Sequence, residues 1–151
     1  MLPDQPLPKI LFHLAFPIGN VPEAKAFYID GLGCTAGRES AQAIILNLAG
    51  TQLVGHVTQE LRKPQRGIYP RHFGLVFGDR ADYQALHDRA VEQDLTFYQA
   101  DRVRFPDTPL EHHTFFLEDP FDNLLEFKHY SNPDAVFGAR DQTQIGDTRS
   151  A

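Results

Sequence analysis

The sequence predicts an α+β fold made of two copies of one module, each a strand, then a helix, then further strands. Three observations predict it. The stretch Phe12-His13-Leu14-Ala15-Phe16 has a near-copy in Arg71-His72-Phe73-Gly74-Leu75-Val76-Phe77, again an apolar run with a histidine near its start. Each run leads through a turn into a helical pattern, and each half closes on a pair of strands. The alternation also has one register in both copies: Phe12, Leu14 and Phe16 share a face opposite His13, and Phe73, Leu75 and Phe77 share a face opposite His72.

The elements follow in order. Residues 1–8 hold three prolines and read as an extended arm. A strand over 9–18 precedes a helix with Asn20 as N-cap, Pro22 just inside it and Glu23 placed for a capping box. Ala24, Phe27, Tyr28 and Leu32 recur at helical spacing until Gly31 and Gly33 end the pattern. Residues 42–48 and 51–58 form a hairpin turned at Ala49-Gly50, which completes module one over 9–58 with two or three strands after its helix. Residues 59–70, mixing Lys, Pro, Gln, Arg and Gly without a hydrophobic period, are the linker.

Module two covers 71–130. After its first strand, Asp79 caps a helix whose apolar stripe is Tyr83, Leu86, Ala90 and Val91. Short strands follow near 95–98 and 102–105, and a hairpin over 112–118 and 123–130 turns at Asp119-Pro120-Phe121-Asp122-Asn123. Residues 131–151 are a polar tail with a short helix at 133–137, and the last ten read as frayed.

Composition narrows the function. At 151 residues the chain makes one compact domain. A formal charge of -6 argues against tracking nucleic-acid phosphates. No apolar run is long enough for a membrane span and the start lacks the pattern of a secretory signal, so a cytoplasmic protein without a membrane partner is expected. The single cysteine, Cys34, allows neither an internal disulfide nor a cysteine-based zinc site and reads as a small buried hydrophobe.

Alternation then selects a site. His13 and His72 point away from the helix-packed faces. In the last strand Glu126 sits within an apolar run, and in the corresponding strand of module one His56 occupies roughly the same place. If the sheets are curved and set side by side, His13, His56, His72 and Glu126 line one cleft. Three imidazoles and a carboxylate suit a divalent transition metal, Zn, Fe, Ni, Co or Mn, better than calcium or magnesium. Arg38 and Arg104, in or near strands, are candidates to anchor an anionic substrate. His112 and His113 are adjacent in one strand, so one of them at most faces the cleft. His87 is expected to face solvent.

These residues carry a resemblance. FHLAFPIGNVPEAKAFYIDGLGC, GTQLVGHV, RHFGLVF and FFLEDPFDNLLEFKHY, over residues 9–130, resemble the vicinal oxygen chelate superfamily, which includes glyoxalase I, fosfomycin-resistance proteins, bleomycin-resistance proteins and extradiol dioxygenases. The resemblance implies the glyoxalase/bleomycin resistance/dioxygenase fold, two βαβββ modules whose curved mixed sheets surround a metal-binding cleft. By position His13 and His72 resemble the first-strand ligands of the two modules, and Glu126 matches the last-strand carboxylate. His56 is a further ligand or an acid-base group, so Glu126 and His56 are the catalytic candidates. The functions implied are a lyase- or isomerase-type enzyme on a small oxygen-bearing substrate, an iron-dependent extradiol-type dioxygenase, or a metal-free drug-binding protein of the bleomycin-resistance type. A homodimer is expected from the same resemblance, with the site either within one chain or shared between two.

Overall fold

The computed structural model describes residues 7–60 and 65–147; most of the expected arm, the middle of the linker and the last four residues lie outside them. In module one, β1 (His13–Ile18) leads into α1 (Val21–Lys25), which continues as a π-helical turn over Ala26–Gly31. The strands β2 (Thr35–Glu39), β3 (Ala43–Leu48) and β4 (Thr51–Val57) follow. Module two repeats the plan with β5 (Phe73–Val76), α2 (Arg80–Glu92), β6 (Phe97–Arg104), β7 (His112–Glu118) and β8 (Leu124–Tyr130). The sheet orders are β1-β4-β3-β2 and β5-β8-β7-β6, with the first pairing parallel in each. The duplicated α+β architecture expected from the alternating runs is the one the chain adopts.

Local chemistry explains the joints. Asn20 accepts a hydrogen bond from the Glu23 amide at 2.8 Å, and the Glu23 carboxylate returns to the Asn20 side-chain amide, a variant of the expected box. Ala49 and Gly50 both have positive φ, the conformation of a type I′ hairpin turn, with the Gly50 amide held by Asn47 at 2.7 Å. Two expectations change. The second strand of module two, β6, is a single element interrupted by register shifts around Gln99, in place of the two short strands expected. On α2 the inward residues are Tyr83, Leu86, His87 and Ala90, while Val91 is exposed. His87 is half-buried, its ring edge-on to Phe97 and Phe115 at 5.5 and 5.2 Å. The i, i+3, i+4, i+7 rule selects position 87 over 91, and an imidazole packs well enough to fill it.

One core serves both modules. Phe16, Ile18, Tyr28, Leu46 and Leu53 from the first are continuous with Tyr83, Phe115, Leu125 and Phe127 from the second. Phe16 and Phe73, both on faces opposite the histidines, meet at 5.4 Å. Polar ties cross the same seam: Tyr28 donates to Asp119 at 2.7 Å, Asn123 to the Pro17 carbonyl at 2.9 Å and Arg89 to the Gly31 carbonyl at 2.9 Å. The helix-packed faces are thus joined inside the chain, and the histidine-bearing faces turn away from that core.

Candidate functional site

Module two builds a pocket on its histidine face. His72, just before β5, and Glu126, in the middle of β8, approach at 3.1 Å between Nε2 and Oε1. Each is held from behind. His72 Nδ1 donates to the Ile68 carbonyl at 2.7 Å, which fixes the proton there and leaves Nε2 for a second partner. Glu126 Oε2 accepts from the Thr114 hydroxyl at 2.7 Å. Gly74, paired with Glu126 across β5 and β8, is required by this closeness, because a Cβ there would overlap the Glu126 carbonyl.

The electrostatics follow from the pairing. The hydrogen bond to Glu126 holds the His72 pKa above the usual imidazole value, with burial pulling the other way. Burial alone would raise the Glu126 pKa. The His72 hydrogen bond, the Lys128 ammonium 3.8 Å away and the Thr114 hydroxyl together bring it below the usual carboxylate value. The pair borders a cavity of about 450 Å³, lined also by Tyr69, Arg104, His112 and Lys128 and by the segment 135–146. Of the adjacent histidines, His112 is the one on this cavity; its burial lowers its pKa, and Nδ1 donates to the Leu110 carbonyl. His113 lies on the other side of β7, against Tyr83.

Module one carries a different set. His13 is exposed at the start of β1, its Nδ1 bonded to Gln52 Oε1 at 2.8 Å. With His13 matched to His72, the pairing of Ala15 with Val54 corresponds to that of Gly74 with Glu126. Val54 therefore stands where the carboxylate stands in module two, and His56 stands where Lys128 does. His56 is exposed and pairs with Pro17 across from β1. It is four residues past Gln52, a separation of about 13 Å along the strand. The expected equivalence of His56 with Glu126 is thus off by one pleat, although its face was correctly read.

The structure brings His72 and Glu126 together and adds Arg104, which is buried at the cavity. It does not gather His13 or His56 with them, and Arg38 is exposed on β2, away from the cavity lining. Among the described residues no three histidine, cysteine, aspartate or glutamate side chains form a metal-holding group. The donor chemistry nonetheless fits a transition ion: His13 and His72 are both tied through Nδ1 with Nε2 available, and Glu126 is tied through one oxygen with the other facing His72. Thr114, Gln52 and the Ile68 carbonyl, which orient these donors, escaped sequence reading. For Thr114 and Gln52 the signal was present as polar residues on the histidine faces of β7 and β4. Cys34 is buried as expected, its thiol pushed up to about 12 by burial.

Comparison with known proteins agrees with this fold. The model of the Glyoxalase/Bleomycin resistance protein/Dioxygenase superfamily matches residues 10–127. A glyoxalase/bleomycin resistance protein/dioxygenase from Alicyclobacillus acidocaldarius is 38% identical, covering 85% of this chain and 97% of its own, with a TM-score of 0.81. Lactoylglutathione lyase from Agrobacterium tumefaciens is 18% identical over 87% of this chain and 98% of its own, with a TM-score of 0.61. The fosfomycin resistance protein FosX from Listeria monocytogenes is 12% identical over 85% and 99%, with a TM-score of 0.65. At those identities the last two show a shared fold alone. No curated protein matches the sequence. No helix among the described residues is long and apolar enough to cross a membrane.

Proposed function

The chain belongs to the glyoxalase/bleomycin resistance protein/dioxygenase superfamily, and from that premise we propose that it is a metal-dependent enzyme acting on a small oxygen-bearing substrate. His72 and Glu126 of one chain and His13 of a second copy hold the divalent transition ion. The observation that carries this reading is the His72–Glu126 pair, with one atom of each residue anchored from behind and the other turned to its partner at the edge of a cavity. When bound there, the ion supplies Lewis acidity toward adjacent substrate oxygens, the chemistry common to isomerisation, lyase and ring-opening reactions.

The protein's own groups do the rest. Ile68 and Thr114 keep His72 and Glu126 in one orientation, so little reorganisation is needed at reaction. Glu126, at the cavity wall, is the carboxylate placed to take a proton from the substrate. Tyr69 and Phe116 wall the cavity against water. Sequestration of a cationic drug without metal is disfavoured by the lining, because Arg104, Lys128 and Arg140 border the cavity in a chain that is acidic as a whole. His13 is assigned to a second copy because its face and that of His72 lie on outer sides of a shared core.

Complementation tests both parts. His13→Ala and Glu126→Gln chains each lose metal binding in this reading. Unfolded together and refolded as a dimer, they regenerate one intact site per mixed dimer, about a quarter of all sites for random pairing. Cobalt(II) absorbance titration reads that fraction. Zero recovery with both variants folded and dimeric would place the site within one chain, and full binding by either variant alone would remove that residue from the ligand set.

A further inference from the structure

The cavity of module two is closed on one side by the chain's own tail. After a 3-10 turn at Pro133–Ala135, the residues to Asp147 run along the cavity wall. Their attachment is thin. Phe137 and Ile145 turn outward, 97% and 93% exposed, so the segment buries little apolar surface through its largest side chains. The Asp147 amide donates to the Tyr69 hydroxyl at 2.9 Å, and its carboxylate forms an ion pair with Arg104.

Arg104 is the unusual member. Its residue exposure is 8%, it stacks over Phe105 at 5.0 Å, and among the described residues its ion-pair partner is Asp147. A guanidinium this buried is costly to leave unpaired. The fold nevertheless gives it a partner that is itself 42% exposed and sits on a loosely fastened strand of chain. Lys128, whose ammonium lies over the Tyr130 ring at 5.3 Å, and Arg140 add positive charge to the same cavity. Any anion small enough to enter meets a preformed cationic wall next to the His72–Glu126 pair.

We propose that Arg104 is the anchor for a carboxylate or phosphonate group of the substrate, and that residues 131–147 are a strap whose Asp147 occupies that anchor until the substrate anion displaces it. This rests on the reading of the cavity as the substrate site. Opening then costs one exchange of anionic partners on Arg104, and the buried charge is paired in both states. The strap narrows the cavity against neutral molecules that cannot make the exchange.

The test uses the full chain stripped of metal with a chelator, so its outcome is independent of metal binding. Methylphosphonate is titrated by calorimetry into wild type and Asp147→Asn, which removes the charge but keeps an amide oxygen to accept from Arg104, with circular dichroism confirming that the variant is folded. If the strap is closed at about ten to one, removing its charge tightens methylphosphonate binding by about tenfold. The neutral dimethyl ester of methylphosphonate shows no such gain, and adding Arg104→Gln to Asp147→Asn abolishes it. Equal methylphosphonate affinity in wild type and Asp147→Asn overturns the proposal. So does an equal gain for the neutral ester, which would make the strap a steric cover without an anion site. Neither result touches the complementation experiment, which depends on His13 and Glu126 alone.

Discussion

The two modules share a topology and differ in their last strands. At corresponding positions module two has Glu126 and Lys128 where module one has Val54 and His56. Behind them, across the hairpin, Thr114 in β7 corresponds to Ala43 in β3, since Thr114 pairs with Lys128 and Ala43 with His56. Module two thus has a carboxylate and a hydroxyl to orient it, and module one has neither. Each retains a first-strand histidine fixed through Nδ1. The carboxylate and the hydroxyl that orients it occur in one of two like frames, and the shared core turns the imidazole of the other frame away from that carboxylate.

The sharpest way to break this comparison is to neutralise the carboxylate. Glu126→Gln keeps the shape and one acceptor but loses the charge. Removing a group that merely orients a ligand costs 10–100-fold in affinity, so loss of the ligand itself is expected to exceed about 100-fold for cobalt(II) or zinc(II). His56→Ala, one pleat beyond the corresponding position of module one, is expected to stay within about twofold on the same scale. Competition against a chromophoric chelator measures both. A large loss in His56→Ala would restore it to the ligand set and erase the asymmetry between the last strands.

Much of this was legible because β-strand alternation is a strict rule. His13, His72 and Glu126 were placed on the correct faces by parity alone, and the Phe16 and Phe73 faces that join the modules were read from the same alternation. The pleat on which His56 falls is not fixed by alternation, because the tight two-residue turn at Ala49-Gly50 does not align with the longer turn at Asp119 to Asn123, where the Asp119 carboxylate gathers the Phe121 and Asn123 amides. Register across a parallel pair is set by the neighbouring strand, which no local count sees. The tail was read as polar, and its last residues as frayed. Through 147 it lies against the cavity, because its fastening by Tyr69 and Arg104 is a long-range contact without a local signature.

A smaller effect tests the hydroxyl behind the carboxylate. Thr114 is fully buried, and its hydroxyl is a donor to Glu126 that Ala43 cannot supply in module one. Thr114→Val preserves volume and branching while leaving Oε2 without that bond. Metal affinity is expected to fall about tenfold, the lower end for a group that orients a ligand. The circular dichroism spectrum should remain that of wild type, which separates a local effect from unfolding. Unchanged affinity would mean that Glu126 is oriented by β8 packing alone.

The smallest expected effect is on the stability of the metal-free protein, and it distinguishes the modules by pH. The His72 pKa is raised above its ordinary 6.5 by the hydrogen bond to Glu126, so the stability it contributes is complete below 6.5 and is lost as pH rises through the raised value. The Glu126 pKa, which burial would raise, is brought below its ordinary 4.5 by His72, Lys128 and Thr114. Its contribution is complete above 4.5 and is lost as pH falls through the lowered value. The pair therefore stabilises the metal-free fold most between about 4.5 and 6.5. The margin of wild type over Glu126→Gln in urea unfolding should be widest near pH 5.5 and narrower at pH 8, and modest throughout because solvent reaches the His72 side of the pair. His13 is bonded to the neutral Gln52 amide where His72 meets a carboxylate, so module one has no counterpart of this ion pair. Saturating cobalt(II) should reverse the trend for wild type, since the ion and the proton compete for His72 Nε2 and the ion gains as pH rises. A margin over Glu126→Gln that is flat from pH 5 to 8 would show that the charged pair is not formed in solution, and the contrast between the two modules would then rest on the metal alone.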